Sequence, residues 1–364
     1  MYGIFIPLGT RAFQVICRRI QGVVLALFTV SLALGSFVQA ADLKALEEAA
    51  RKEGEMTWYV SLYSQAIAEK AAVAFTQKYP GLKIVVVRAT TGGSVQRLMQ
   101  DLRNNVAIAS VFSISQGGPY ITLRDGGHLA EYVPVNAAKL ADYVQAAIMP
   151  GQAYPFGAGL HGIAYNTARV SAEDAPKSWM DLADPKWKGR LALSHPATSG
   201  FDASWCVSMV KSDKFGWEYY EALAKNAPLI QRSTFDTLTA LNSGERLVSP
   251  LPDAFIIDAL AKGNPINIVY PVDGTEMILG YTAILKNAPQ PNMARLFTEF
   301  LLDVEHAQVM AENGYISLRP EVVNILHGGK RMDEITLLLP INTAEDTERE
   351  LPGIVENWRD LFGQ

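Results

Sequence analysis

The stretch Leu82–Met99 constrains this chain more than any other. It reads Leu-Lys-Ile-Val-Val-Val-Arg-Ala-Thr-Thr-Gly-Gly-Ser-Val-Gln-Arg-Leu-Met. The β-branched run Ile84–Val87 predicts a buried strand. Thr90–Ser94 is a turn of small polar residues. Ser94 has the chemistry of a helix N-cap, and Val95, Leu98 and Leu102 follow at helical spacing. In this order of strand, Gly/Thr/Ser loop and helix, the loop aims free backbone N–H groups and hydroxyls at one point. The positive end of the helix lies behind them, which suits an anion. An ordinary βα connection with good capping chemistry has the same sequence, so the motif alone leaves both meanings open.

The pattern recurs. Met56–Val60 predicts a strand, Ser61–Ser64 the loop after it, and Gln65–Tyr79 a helix ended by Pro80-Gly81. Ala107–Ser113 predicts a further strand that runs through Ser115–Gly118 into a helix holding Tyr120 and Leu123. Strands and helices alternating through short loops predict a parallel α/β sheet, with a ligand crevice beyond the carboxyl ends of its strands. Tyr154–Tyr165 is extended and rich in glycine, as a strand crossing between two lobes would be. Leu191–Ser194 then runs through His195-Pro-Ala-Thr-Ser-Gly200 into a helix from Phe201 to Val210, a second strand, small polar loop and helix. Pro271–Glu276, leading into a strand at Met277–Leu285, reads as a second crossover. The remainder beyond the helix at Val304–Asn313 reads as helical and polar.

The chain is 364 residues long and 49% hydrophobic, enough for two lobes. Its net charge is −5 and it has no basic block, which argues against a nucleic-acid partner. Arg11, Arg18 and Arg19 precede the apolar run Gly22–Phe37 and then Val38-Gln39-Ala40. That order predicts a signal peptide cleaved after Ala40 and a periplasmic mature protein; the export route stays open, and an uncleaved anchor is the competing possibility. Cys17 leaves with the signal. Cys206, in an apolar stretch with no basic neighbour, is then the one remaining cysteine and predicts a buried, inert thiol.

Three further stretches carry a family resemblance. Pro176-Lys-Ser-Trp179 runs through to Asp184-Pro-Lys-Trp-Lys-Gly-Arg190. His161-Gly-Ile-Ala-Tyr-Asn166 lies on the first crossover. Ile284-Leu-Lys-Asn-Ala-Pro289 is followed by Ala294–Leu302. Across roughly Glu55–Pro320 the chain resembles the periplasmic substrate-binding proteins of ABC importers, in the branch similar to the ferric-ion-binding proteins. The resemblance implies an α/β, type 2 periplasmic binding protein fold. Each of its two lobes is a mainly parallel sheet flanked by helices, and two hinge strands join them. It implies a first lobe of residues 41–157 plus 275–325 and a second of residues 158–274, with C-terminal helices, 326–364, packed on the second. It also implies closure on a ligand and delivery to a membrane permease. The chain departs from the iron-binding pattern where Ser249-Pro-Leu-Pro-Asp-Ala-Phe255 lacks adjacent tyrosines, where the loop Ser61–Ser64 lacks a histidine, and where Ser110 replaces an aspartate. Iron binding is therefore the second expectation, with Tyr63, Asp253 and Glu276 as its donors.

The first expectation is a receptor for a small organic anion: a carboxylate, phosphate or phosphonate. Thr90, Thr91, Gly92 and Gly93 of one lobe would face Thr198, Ser199 and Gly200 of the other across the cleft. Tyr63, Ser64, Gln116, His161, Phe235, Asp253 and Glu276 complete the candidate set. Packing, capping or hinge roles compete at Tyr63, His161, Phe235 and Glu276. His128, His161, His195 and His306 lack a nearby nucleophile or metal-spaced partner, so no enzyme and no cofactor is expected. The expected protein is a monomer whose partners are a small ligand and a permease. A ligand-sensing input for a membrane kinase is the alternative of another class.

Overall fold

A computed structural model describes residues 42–338 and 342–363. The predicted signal peptide lies outside the described residues. Helix α1 (42–51) leads into β1 (Glu55–Val60), α2 (Gln65–Lys78), β2 (Lys83–Arg88), α3 (Thr91–Arg103), β3 (Ala109–Ile114) and α4 (Gly118–Asp125). The short α5 (Asp142–Gln145) precedes β4 (Ala153–Asn166). Then come β5 (Ala192–Ser194), α6 (Gly200–Lys211), α7 (Gly216–Ala224), β6 (Leu229–Gln231), α8 (Thr234–Asn242), β7 (Val248–Pro252), α9 (Asp253–Ala261) and β8 (Ile266–Val269). The chain returns through β9 (Met277–Ile284), α10 (Pro291–Leu301) and α11 (Val304–Ala311), and α12 (Ala344–Phe362) ends it. No described helix is long and apolar enough to cross a membrane.

β1 sits between β2 and β3 and runs parallel to both. β9 lies antiparallel to β3 and to the first half of β4, Ala153–Leu160. The second half of β4 leaves that sheet: His161–Tyr165 pair with β7 and Ile163–Asn166 with β8. One strand, buried along its whole length, thus serves both lobes. A parallel bridge from Leu191 to Val248 and the parallel pair β5–β6 extend the second sheet. The parallel pairs match the expectation. The antiparallel ones arise because the crossover strands run back between the lobes.

The second crossover, residues 271–276, is held by the Pro176–Trp179 motif. The Trp179 indole donates to Gly274 O (2.9 Å), its backbone N–H donates to Asp273 Oδ2 (2.7 Å), and Val272 N–H donates to Lys177 O (3.0 Å). The first core gathers Trp58, Phe75 and Phe297 beneath β1, and the second gathers Trp179, Trp187, Trp205 and Tyr220. The polar remainder predicted as helical holds only short 3-10 turns before α12 among the described residues. α12 itself touches both lobes. Its first turn lies against α4, where a Cβ on Gly117 would come within 2.6 Å of Ala344 Cα. Further along, Trp358 is buried in the second core, 5.5 Å from the Tyr220 ring.

Candidate functional site

Three helices start at strand ends facing the space between the lobes: α3 after β2, α6 after β5 and α8 after β6. Each is capped by a hydroxyl. Thr90 Oγ1 accepts from Gly93 N–H (3.1 Å), Ser199 Oγ from Asp202 N–H (3.4 Å) and Ser233 Oγ from Asp236 N–H (3.2 Å). Thr90, not Ser94, caps α3. An extended threonine four residues earlier already accepts from the Gly93 N–H, the third of the helix, so Gly92 and Gly93 fall inside the first turn.

The two glycine-bearing turns meet across the cleft. A Cβ on Gly92 would lie 3.5 Å from Ala197 O and from Thr198 Cα. One on Gly200 would lie 2.6 Å from Thr91 Oγ1 and 2.9 Å from Ser115 Oγ. At Gly200 only glycine lets the lobes approach this closely, whereas the approach at Gly92 is an ordinary van der Waals contact. Behind the contact, Thr91 Oγ1 sits 2.9 Å from Ser61 Oγ and 3.0 Å from Ser115 Oγ, and Ser115 N–H donates to Ser61 Oγ (3.2 Å). Three strand ends of the first lobe therefore share one buried hydroxyl cluster.

Beside it lies a cavity of about 20 Å³, room for about one water. Ser61, Arg88, Thr90 and Thr91 line it from the first lobe, and Ser199, Thr234 and Phe235 are among those that line it from the second. Arg88 ends β2 and is partly buried. Its Nε donates to Tyr63 O (3.3 Å), it forms no ion pair among the described residues, and burial lowers its pKa from the ordinary arginine value. Asp202 is buried beneath the starts of α6 and α8, accepting from the Ser199 and Thr234 hydroxyls, and burial raises its pKa. Arg88, which lines the cavity and has no ion pair among the described residues, brings a positive charge to the cleft.

A family model for a bacterial extracellular solute-binding protein matches residues 122–336, more than half of the chain. The chain belongs to the bacterial extracellular solute-binding proteins. A Haemophilus influenzae protein described as uncharacterized is 24% identical to this one over 298 residues, 78% of this chain and 83% of its own. The periplasmic binding protein AfuA of Actinobacillus pleuropneumoniae, solved with fructose-6-phosphate bound, aligns with a TM-score of 0.75 at 23% identity, covering 85% of this chain and 99% of AfuA. Iron-bound HitA of Pseudomonas aeruginosa aligns at 0.69 and 22% identity, covering 84% and 99%. These likenesses establish the two-lobe, type 2 periplasmic binding protein fold.

In this solute-binding protein the other candidate residues are scattered. Tyr63 is fully buried, packed edge-on against Phe156 (5.3 Å) and Tyr315 (4.7 Å), so its ring serves the first core rather than the cleft. Ser64 caps α2 through Ile67 N–H. Gln116 is partly exposed in the turn before α4. His161 is buried on β4, and its Nδ1 lies 2.9 Å from Glu276 Oε2. Glu276 also accepts from Ser204 and Ser208 of α6, joining the two crossovers to that helix. Asp253 accepts from Leu160 N–H (3.0 Å), Ala254 N–H (2.8 Å) and the Tyr270 hydroxyl (3.2 Å). Tyr63, Asp253 and Glu276 thus each hold separate partners. No cluster of three or more His, Cys, Asp or Glu among the described residues could hold a metal ion.

Arg88 and Ser61, which line the cavity, and Ser115, buried behind it, lie beyond the sequence-derived set. The first two lie at or just past the ends of predicted strands, the place where such sites form. A larger cavity, about 960 Å³, lies near Tyr143, Met277 and Met332. Its arginines are already paired, Arg319 with Glu321 and Arg331 with Asp333.

Proposed function

We propose that this protein is the periplasmic receptor of an ABC importer for a small organic anion, which it holds between its lobes and delivers to the permease. The observation that supports it most is the facing of the α3 and α6 N-termini, each bearing hydroxyls and free N–H groups, beside the unpaired Arg88. A ligand touching both turns stabilises the closed arrangement, and the permease recognises that arrangement by population shift. Binding without chemistry is enough for this role. AfuA, with its bound sugar phosphate, supports an anionic ligand. HitA keeps a ferric ligand as the second reading, which draws less support here because Tyr63, Asp253 and Glu276 are engaged apart from one another.

Thr91→Ala and Ser199→Ala test the reading, with calorimetric titration of carboxylates, phosphates and phosphonates and metal analysis of the purified protein. Each substitution is expected to weaken binding about tenfold, the worth of one hydrogen bond to a charged group. Ser199→Gly, which keeps most of the cap energy, controls for lost helix stability. Unchanged affinity in both alanine variants rejects the two-sided clamp. Bound iron in the purified protein would move the ferric reading into first place.

A further inference from the structure

Arg88 does more than add charge to the cleft. Its guanidinium carbon lies 4.4 Å from the centroid of the Phe235 ring, so a first-lobe cation stacks on a second-lobe aromatic. Phe235 packs edge-on against Phe255 (4.8 Å), and Phe255 packs edge-on against Phe201 (5.3 Å). These three rings belong to the starts of α8, α9 and α6, and all of them line the cleft cavity. The two walls therefore differ. The first lobe offers the hydroxyls of Ser61, Thr90 and Thr91 with one flat cation, while the second offers a Ser/Thr rim backed by a phenylalanine face.

A ligand whose body is covered in hydroxyl groups would leave them unpaired against that face. A flat unsaturated body fits it. If the lobes part by about 3.5 Å, one ring thickness, a planar group enters between guanidinium and phenyl and stacks on both. Its anionic group then reaches the α3 and α6 N-termini next to the slot. We propose that Arg88 and Phe235 are the two jaws of a specificity slot, and that the ligand is an aryl or heteroaryl carboxylate or phosphate. This rests on the organic-anion reading above and narrows it.

Phenyl phosphate and glycerol 1-phosphate share a head group and differ in body, as do benzoate and lactate. All four are titrated calorimetrically into the wild type and into Phe235→Ala, Phe235→Leu and Arg88→Lys, with folding checked by circular dichroism. The wild type is expected to favour each aromatic anion over its aliphatic partner by at least about tenfold. Phe235→Leu, which keeps an apolar side chain without a π face and stands in if the alanine variant fails to fold, is expected to reduce that preference below about threefold. Arg88→Lys, which keeps the charge and loses the flat face, is expected to reduce it as well. Equal or reversed preference in the wild type, or a preference that survives in both Phe235→Leu and Arg88→Lys, overturns the slot. If Thr91→Ala still weakens the aliphatic anions in that case, the anion clamp stands without it. Binding of none of the four anions overturns the clamp and the slot together.

Discussion

Asp253 shows how far a single side chain can depart from its usual behaviour when the tertiary structure encloses it. It is wholly buried at the start of α9, and burial pushes its carboxyl up to about 7 despite its three hydrogen-bond donors and nearby His161. The folded protein therefore keeps a proton that the unfolded chain releases near pH 4. Stability from this group is complete below about pH 4 and is lost as pH rises through about 7. Asp253→Asn keeps an acceptor for the backbone donors and removes the titration. In urea unfolding across pH, the wild type should lose stability relative to this variant over that window, by at most on the order of 4 kcal/mol. Parallel pH profiles would contradict the assignment. Cys206 is the simpler case. Its apolar neighbours in sequence already indicate a buried thiol, and burial raises its pKa well above the usual value. Tyr63 is the opposite. A tyrosine just past a strand end can turn toward ligand or core, and only packing against Phe156 and Tyr315 decides for the core.

Among the elements, α12 carries the clearest consequence. Thr343 and Asp346 form a capping box at its start, and its C-cap Gly363 takes the left-handed conformation that glycine adopts without strain. Its first half contacts the first lobe, where Arg124 pairs with Glu345 (3.5 Å) and Thr122 donates to Glu348 (3.1 Å). Pro352 lies inside the helix, and beyond it Ile354 and Trp358 enter the second core. Trp358→Ala should cost about 3–5 kcal/mol in denaturant unfolding, as a buried tryptophan truncation does. Glu345→Ala should cost less than about 1 kcal/mol, since an exposed ion pair contributes little. Similar costs for the two would mean that the ring is not an anchor. The sequence shows a helical, polar tail but not its position astride both lobes, because that depends on where α4 and α6 come to rest.

At the scale of the whole molecule, the lobes meet at Gly200. An alanine there would bring its Cβ to 2.6 Å from Thr91 Oγ1, while α6 itself gains a better helix former. Gly200→Ala should therefore leave folding stability unchanged or slightly higher, enlarge the radius of gyration in X-ray scattering, and weaken ligand binding. An unchanged radius would show that this contact does not limit closure.

By itself the sequence determined the order of strands and helices as far as about Asn313, the polar loops at the strand ends, the two crossovers and the family, because periodicity, capping residues and turn chemistry are local. Its helix starts were right to within a few residues, and its two small-residue turns were the ones that meet. Only the tertiary structure decided that Arg88 faces Phe235, that Tyr63 turns inward, that Glu276 and His161 tie the hinge to α6, and that Tyr63, Asp253 and Glu276 stay apart. Each of those facts joins residues far apart in the chain. Their meeting depends on how two sheets share β4, and no short-range pattern records that.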